Sequence, residues 1–402
     1  MRALTEYMAE HEPAMRELLR DLVDIQSGTL NKPGVDAVAA FLDSYLSARG
    51  LRTRLIRQED AGNILIADFP CAEEAPGRIL LSGHMDTVFP ADTPFNRLRC
   101  EGDIAYGPGT CDMKGGLVVG IFAMLALLER GLGNTLPLRF LFSPDEEKSS
   151  RTMRACLTAE APRAAFALVF EKAGPDNKLV RTRKGKVALS ARIRGKAGHA
   201  AFVTHDKVSA VLDAARKIVL LEALNTPREV TGEDALSVNV GRMEGGVAFN
   251  VVPDEARIDV ESRCNTKAQM EEVEAAMSRI LLLPQVPGSM SEIVGRTTSP
   301  TLEARATGEL YALAAETAAE LGQVVGEEFR PGCSEASYLA QDGVPVLDGL
   351  GPRGGRDHST DEFLVLSSMR QRAELTAALI LRAWDAWQAG RLKRLDGKDL
   401  RA

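Results

Sequence analysis

The chain is poor in the features that mark several large classes of protein. Aromatic residues are only 5% of its 402 positions, too few for a surface that stacks the bases of a single strand. Basic residues are outnumbered, 49 Lys and Arg against 56 Asp and Glu, for a net charge of −7. Without a positive excess there is no electrostatic footprint for nucleic acid or for an anionic membrane. Six cysteines (Cys71, Cys100, Cys111, Cys156, Cys264, Cys333) lie scattered with no C-x-x-C pair. That excludes a disulfide scaffold and fits a reduced interior. The longest apolar run, 115–128 (GGLVVGIFAMLALL), stops at Glu129-Arg130. A membrane span needs about 20 such residues, so a buried core helix is expected instead. The opening segment MRALTEYMAEHEPAMREL is charged throughout and has no apolar signal-peptide core. The expected compartment is the cytoplasm. What the chain does have is an ordinary soluble composition, 45% hydrophobic and 26% charged. At roughly 150 residues per domain, its length implies two to three domains or one large α/β domain with an insertion.

Apolar positions recur at helical spacing over 3–26 and again over 35–49, stopped by Gly50. Short β-like runs follow at 51–57, 63–69 and 78–82, then the apolar helix 115–130, then runs at 136–142 and 164–170. Continuous apolar strands alternating with helices predict a mainly parallel mixed sheet, covered by helices on both faces. The texture changes near 182–187. From there the order is strand (187–195), helix (207–224), strands (236–243 and 255–262), helix (268–283) and strand (288–294). This β-α-β-β-α-β order marks a small ferredoxin-like α+β unit. A helix (302–321), a strand (344–350) and a last helix (368–389) return to the α/β style. The expected organisation is therefore one α/β domain in two stretches, 1–183 and 295–402, interrupted by an inserted domain at 184–294.

Residues of metal-ligating type gather where an α/β sheet builds its sites, at the carboxyl ends of strands. His84 and Asp86 follow RILLSG, Glu146 and Glu147 follow LPLRFLFSPD, and Glu171 follows AAFALVF. His358 lies just past VPVLDGL in the loop GPRGGRDHS, and Asp112 sits ahead of the apolar helix, where helix amides favour a carboxylate. Two histidines with several carboxylates suit zinc, with cobalt or manganese as substitutes. In an extended segment, residues two apart face the same side, so Asp86 can orient the His84 ring. Glu146 and Glu147, as neighbours, are expected to point apart, one toward a metal and one toward a substrate as general base.

The segments SGHMDTVFP (82–90), YGPGTCDMKGG (106–116), FLFSPDEE (140–147) and GGRDHSTDEF (354–363) resemble, in that order, a known zinc-peptidase family. Its members include bacterial glutamate carboxypeptidase (carboxypeptidase G), aminoacylase, acetylornithine deacetylase and succinyl-diaminopimelate desuccinylase. The resemblance runs from the first helix to the last. It implies two zinc ions bridged by Asp112, with His84 and Glu171 completing one and Glu147 and His358 the other. It implies Glu146 as general base, Asp86 as the residue holding His84, and a cis bond between Asp112 and Met113. The inserted unit would be a lid that also forms a homodimer. His199, in GKAGHA, would then reach across the dimer to the substrate carbonyl, and Asn250 and Arg263 would bind the substrate carboxylate. Glu171, TVFP and FEKAG look closest to glutamate carboxypeptidase, which implies release of a carboxy-terminal glutamate from a small anionic N-acyl or peptide substrate. An N-acyl-amino-acid deacylase is the alternative, and a non-catalytic binding or scaffold member a remote one. One departure is Glu335 in PGCSEASY (331–338), where many relatives carry Asp. His11 and His205 fall outside every motif and are expected to be exposed.

Overall fold

The computed structural model describes residues 2–73, 75, 77–201 and 207–395. They form two compact units, one of residues 1–181, 304–328 and 334–402, the other of 182–303 and 329–333. The second unit therefore runs past the expected boundary at 294, because its last strand continues to Ser299.

The first unit opens with two amphipathic helices, α1 (Arg2–Asp24) and α2 (Lys32–Ser47). Asn31 caps α2 by accepting from Gly34 N, and Pro33 sits in its first turn, where no backbone N–H is required. Strands β1 (Arg52–Ile56), β2 (Ile64–Asp68) and β3 (Arg78–His84) follow. Then come helix α3 (Gly115–Glu129), strand β4 (Leu138–Ser143), helix α4 (Met153–Glu160) and strand β5 (Ala164–Val169). Thr110–Glu129 is long and apolar enough to cross a membrane, but nearly all of it is buried within the protein. It is the central core helix. Gly116 lets it approach the sheet, since a Cβ there would lie 2.0 Å from the Phe170 carbonyl oxygen.

The second unit contains β6 (Gly185–Arg194), α5 (Ala210–Glu222), β7 (Ser237–Gly245), β8 (Glu255–Cys264), α6 (Lys267–Leu282) and β9 (Met290–Ser299). Its sheet order is β7-β8-β6-β9, antiparallel throughout. That is the ferredoxin-like arrangement. Alternate residues of β6 and β8 (Val187, Leu189, Ala191, Ile193; Ala256, Ile258, Val260) turn inward against α5 and α6.

The chain then returns to the first unit through α7 (Ala304–Glu320), α8 (Glu335–Gln341), β10 (Val346–Leu347) and α9 (Leu366–Gln388). The main sheet has the order β1-β2-β4-β3-β5-β10. Its β4-β3-β5-β10 part is parallel, and β1-β2-β4 is antiparallel. Helices α1, α3 and α9 pack together on one face, and α4 and α8 pack together on the other. The strand expected over 344–350 is only two residues long, because Gly349 adopts a positive φ of 77° and turns the chain away. Register sets His84 opposite Ser143 and Ser82 opposite Val169. The carboxyl ends of β3, β4 and β5 therefore line up along one edge, and that alignment positions the site.

Candidate metal centre

His84 ends β3 and is 1% exposed. Its Nδ1 faces the Asp86 backbone oxygen at 2.9 Å and the Asp86 Oδ1 at 3.3 Å. That fixes the ring so that Nε2 meets Asp112 Oδ1 at 3.3 Å and Glu171 Oε1 at 3.9 Å. The other oxygen of Asp112 meets a second histidine: His358 Nε2 lies 3.6 Å from Oδ2 and 3.3 Å from Glu147 Oε2. Asp112 is thus shared by two donor sets, His84–Glu171 on one side and Glu147–His358 on the other. Two ligands bonded at 2.0–2.1 Å to a tetrahedral ion lie about 3.3 Å apart. The observed separations fit a divalent metal in each set. The Asp112–Met113 peptide bond is cis.

Glu146 and Glu147 do not lie in an extended segment, as expected from sequence, but in a single 3-10 turn, Glu146–Lys148. The cause is Asp86, whose Oδ1 accepts from Glu146 N at 3.1 Å and whose Oδ2 accepts from Glu147 N at 3.3 Å. Asp86 therefore shapes the glutamate turn as well as orienting His84. The turn still separates the two side chains. Glu147 faces His84 and Asp112, while Glu146 offers an oxygen within 4.8 Å of donor atoms of His84 and Glu171. Burial, with Glu171 beside it, pushes the Glu146 carboxyl well above the usual carboxylate range. Burial works against the Asp112 carboxylate too, but Lys172 and His84 outweigh it and hold Asp112 well below that range.

Four residues of this centre escaped the sequence reading. Lys172 Nζ lies 2.9 Å from Asp112 Oδ2 and 2.8 Å from Asp357 Oδ2. Burial opposes its charge, but Asp112, Glu171 and Asp357 more than compensate and keep it cationic. Glu362 is 1% exposed. It accepts from the backbone N–H groups of Gly109 (3.1 Å), Cys111 (2.9 Å) and Asp112 (3.1 Å), holding the loop that presents Asp112. Burial raises its carboxyl to about 7. Its only sequence signal is its place four residues after His358. Lys114, fully buried, donates to the Leu22 and Ile25 carbonyl oxygens at 2.8 Å each, satisfying carbonyls at the end of α1.

The departure at Glu335 has a structural counterpart. Glu335 is buried, with Oε2 accepting from Ser82 Oγ at 2.6 Å and Oε1 from Ser150 Oγ at 3.3 Å. Ser82 precedes His84 by two residues and Ser150 closes the glutamate turn, so Glu335 ties the two together from beneath. Ser334 caps α8 by accepting from Ala336 N and donates to Asp348 Oδ2 at 2.8 Å.

The remaining sequence candidates belong to the second unit. His199 lies in a two-residue strand paired with Val251–Val252, and Ala200 N donates to Asn250 O at 2.9 Å, so His199 and Asn250 are neighbours. Arg263 sits near the far end of β8, where its Nε donates to Glu261 Oε1 at 2.8 Å. Eight residues of extended chain from Glu255 to Arg263 span about 26 Å. Asn250 and Arg263 of one unit are therefore not brought together. His205 lies outside the described residues. His11 is not exposed as expected but half-buried, its ring stacked 4.0 Å from that of Tyr7.

Known proteins similar to this chain were found at the level of family, sequence and structure. The model of Peptidase family M20/M25/M40 matches residues 80–382. Carboxypeptidase G2 of Pseudomonas sp. (strain RS-16) is 30% identical over 393 residues, covering 94% of this chain and 91% of that protein. Aminopeptidase PepT from Bacillus cereus superposes with a TM-score of 0.71 at 22% identity, covering 93% of this chain and 99% of its own. The YxeP protein of Bacillus subtilis, a dinuclear metal binding peptidase from the M20 family, superposes at 0.67 with 16% identity, covering 94% and 99%. At those identities the two structures share the fold.

Proposed function

Because the chain belongs to Peptidase family M20/M25/M40 and is a metallopeptidase that hydrolyses peptide or amide bonds, we propose that it releases a carboxy-terminal amino acid, first of all glutamate, from small anionic N-acyl or peptide substrates. The specificity rests on similarity to carboxypeptidase G2 along nearly the whole chain. His84 and Glu171 would hold one metal ion, Glu147 and His358 the other, with Asp112 between them, and zinc suits this nitrogen and oxygen set. Bound there, the ions supply Lewis-acid polarisation of the scissile carbonyl and acidify water.

The observation that carries the reading is Glu146. The two sets sharing Asp112 do not require it, yet it is held beside them with a raised pKa. A base of that kind takes a proton from the attacking water at a carboxylate oxygen and returns it to the nitrogen of the leaving amine. Asp86 aims it by fixing the backbone of its turn. In the same reading the second unit is a lid and dimer contact, through which His199 stabilises the oxyanion and Arg263 clamps the substrate carboxylate. Two copies would have to supply Asn250 and Arg263 to one site, given their separation in a single chain. The reading extends to a reducing cytoplasmic setting, supported by six cysteines that are all free thiols.

Glu146→Gln is expected to abolish release of glutamate from N-acyl-glutamate while metal per chain, measured by elemental mass spectrometry, stays at the wild-type level. Loss of metal would instead make Glu146 a ligand. Faster release of acetate from N-acetyl amino acids other than glutamate would favour the deacylase.

A further inference from the structure

Two consecutive serines close the glutamate turn in a conformation that non-glycine residues seldom adopt. Ser149 sits at a φ of 68° and Ser150 at 47°, with no glycine between Pro144 and Met153 to relieve either. Left-handed residues of this kind persist only where their surroundings hold them, and they gather at functional sites. Ser149 N donates to Glu146 O at 2.7 Å and Ser150 N to Asp145 O at 2.9 Å, which sets the exit of the turn. Its entry is set by the two bonds to Asp86. What holds the exit is α8.

Glu335 and Tyr338 lie three residues apart on α8 and so share a face. Glu335 Oε1 accepts from Ser150 Oγ at 3.3 Å, and Tyr338 Oη donates to Ser149 O at 3.4 Å. The same carbonyl oxygen accepts from Arg154 Nε at 3.2 Å. The Arg154 guanidinium in turn lies over the Tyr338 ring, 4.9 Å from its centre. Ser149, Ser150, Arg154 and Tyr338 thus form one packed cluster behind the turn. Glu335 fixes that cluster to the sheet, because its other oxygen accepts from Ser82 Oγ at 2.6 Å. A carboxylate has an acceptor oxygen for each of two hydroxyl donors, and Glu335 uses both.

We propose that α8 is the positioning element of the general base: Glu335, with Tyr338, holds the exit of the turn and so keeps the Glu146 carboxyl in place beside the donor sets. The inference rests on Glu146 acting as base in the metallopeptidase reading. Glu335 and Tyr338 act through the turn, so both are positioning residues. Their effect falls on the chemical step, since an offset of about 1 Å in a reacting group costs up to about a hundredfold in rate.

The test compares Glu335→Ala, Glu335→Gln, Ser150→Ala and Tyr338→Phe as metal-replete full chains hydrolysing N-benzoyl-glutamate. In Glu335→Ala, kcat is expected to fall about tenfold or more, with KM within about twofold and metal per chain unchanged. Glu335→Gln keeps one acceptor and offers a donor to the second serine, so it should stay within about threefold of wild type. Ser150→Ala and Tyr338→Phe remove one hydroxyl each and should lower kcat by about twofold to fivefold. Added to Glu335→Ala, Ser150→Ala should cost nothing further. Hydrogen exchange reads the same hold without a substrate. The amides of Lys148, Ser149 and Ser150 should exchange about fivefold faster or more in Glu335→Ala and Ser150→Ala, while those of β4 stay unchanged. Should Glu335→Ala not fold, Ser150→Ala and Tyr338→Phe decide on the same two readouts. Wild-type kcat in every variant, a loss confined to KM or metal content, Glu335→Gln as impaired as Glu335→Ala, or unchanged exchange at the turn each overturns the inference alone. A wild type inactive on N-benzoyl-glutamate overturns the glutamate reading, and exchange at the turn then decides the inference by itself.

Discussion

On one side of the Asp112 carboxylate, the groups that meet it come from strand ends; on the other they come from loops. His84 terminates β3 and is buried, Glu171 follows β5 and is buried, and Asp86 fixes the imidazole from behind. His358, by contrast, is 54% exposed and sits at a positive φ of 61°, two residues after Arg356 at 56°. Lys172 meets the same oxygen of Asp112 that His358 faces and is itself paired with Asp357. The first half is preorganised by the sheet; the second is assembled from a loop whose conformation non-glycine residues seldom adopt. Two donor sets that share one carboxylate therefore differ in burial, and an ion held by the open one should exchange more readily.

The sharpest way to break that comparison is to remove each histidine from the metal-free protein and measure unfolding in urea. His84→Ala leaves Asp86, Asp112 and Glu171 buried without the imidazole they surround, and should cost about 3–5 kcal/mol. His358→Ala, at an exposed position, should cost less than about 1 kcal/mol. Equal losses would erase the distinction between the halves.

A somewhat smaller effect concerns the clamp on the Asp112 loop. Folding raises the Glu362 carboxyl from 4.5 to about 7, chiefly by burial. A carboxyl raised on folding contributes its stability fully below its unfolded pKa and loses it as pH climbs through the folded value. The metal-free protein should therefore lose up to about 3 kcal/mol from this group between pH 4.5 and pH 7. Glu362→Gln should flatten that part of the stability-against-pH curve, and an unchanged slope would assign the loss to other groups.

The smallest effect sharpens the contrast. Lys172→Met removes a cation that neutralises Asp112 Oδ2, so a divalent ion on the His358 side should bind several-fold more tightly. Chelator competition should show one affinity rising and the other unchanged; equal changes would mean that Lys172 serves both halves.

Much of the centre was legible in the sequence because strands that are buried on both faces read as apolar runs. RILLS, LPLRFLF and AAFALVF announce themselves, and the polar residue types just after them could be read as site residues. His84, Glu146, Glu147 and Glu171 were visible in that way, and Asp112 by its place ahead of the apolar helix. The contributions of Glu335 and Glu362 were not. Glu335 meets Ser82, and Glu362 meets Gly109, each 253 residues distant along the chain. No local periodicity encodes such a contact. Lys172 looked like a charged residue beside Glu171, and only the return of the chain at Asp357 gave it a second partner. The short strands Arg99–Glu101, Ile104–Tyr106 and Phe363–Val365 also went unread, since two- or three-residue strands carry no pattern of their own.

By itself the sequence determined the α/β class, the interruption by a ferredoxin-like unit, and most of the side chains that could hold metal. Those depend on composition and on periods of two and 3.6 residues, which are local properties of the chain. Tertiary structure alone decided that Asp112 stands between two histidines and that Asp86 curls the glutamate turn to split Glu146 from Glu147. It also decided that α8 sets Glu335 and Tyr338 behind that turn. Each of these is a distance between atoms far apart in the chain, fixed only when the strands pair in register and the core behind them closes.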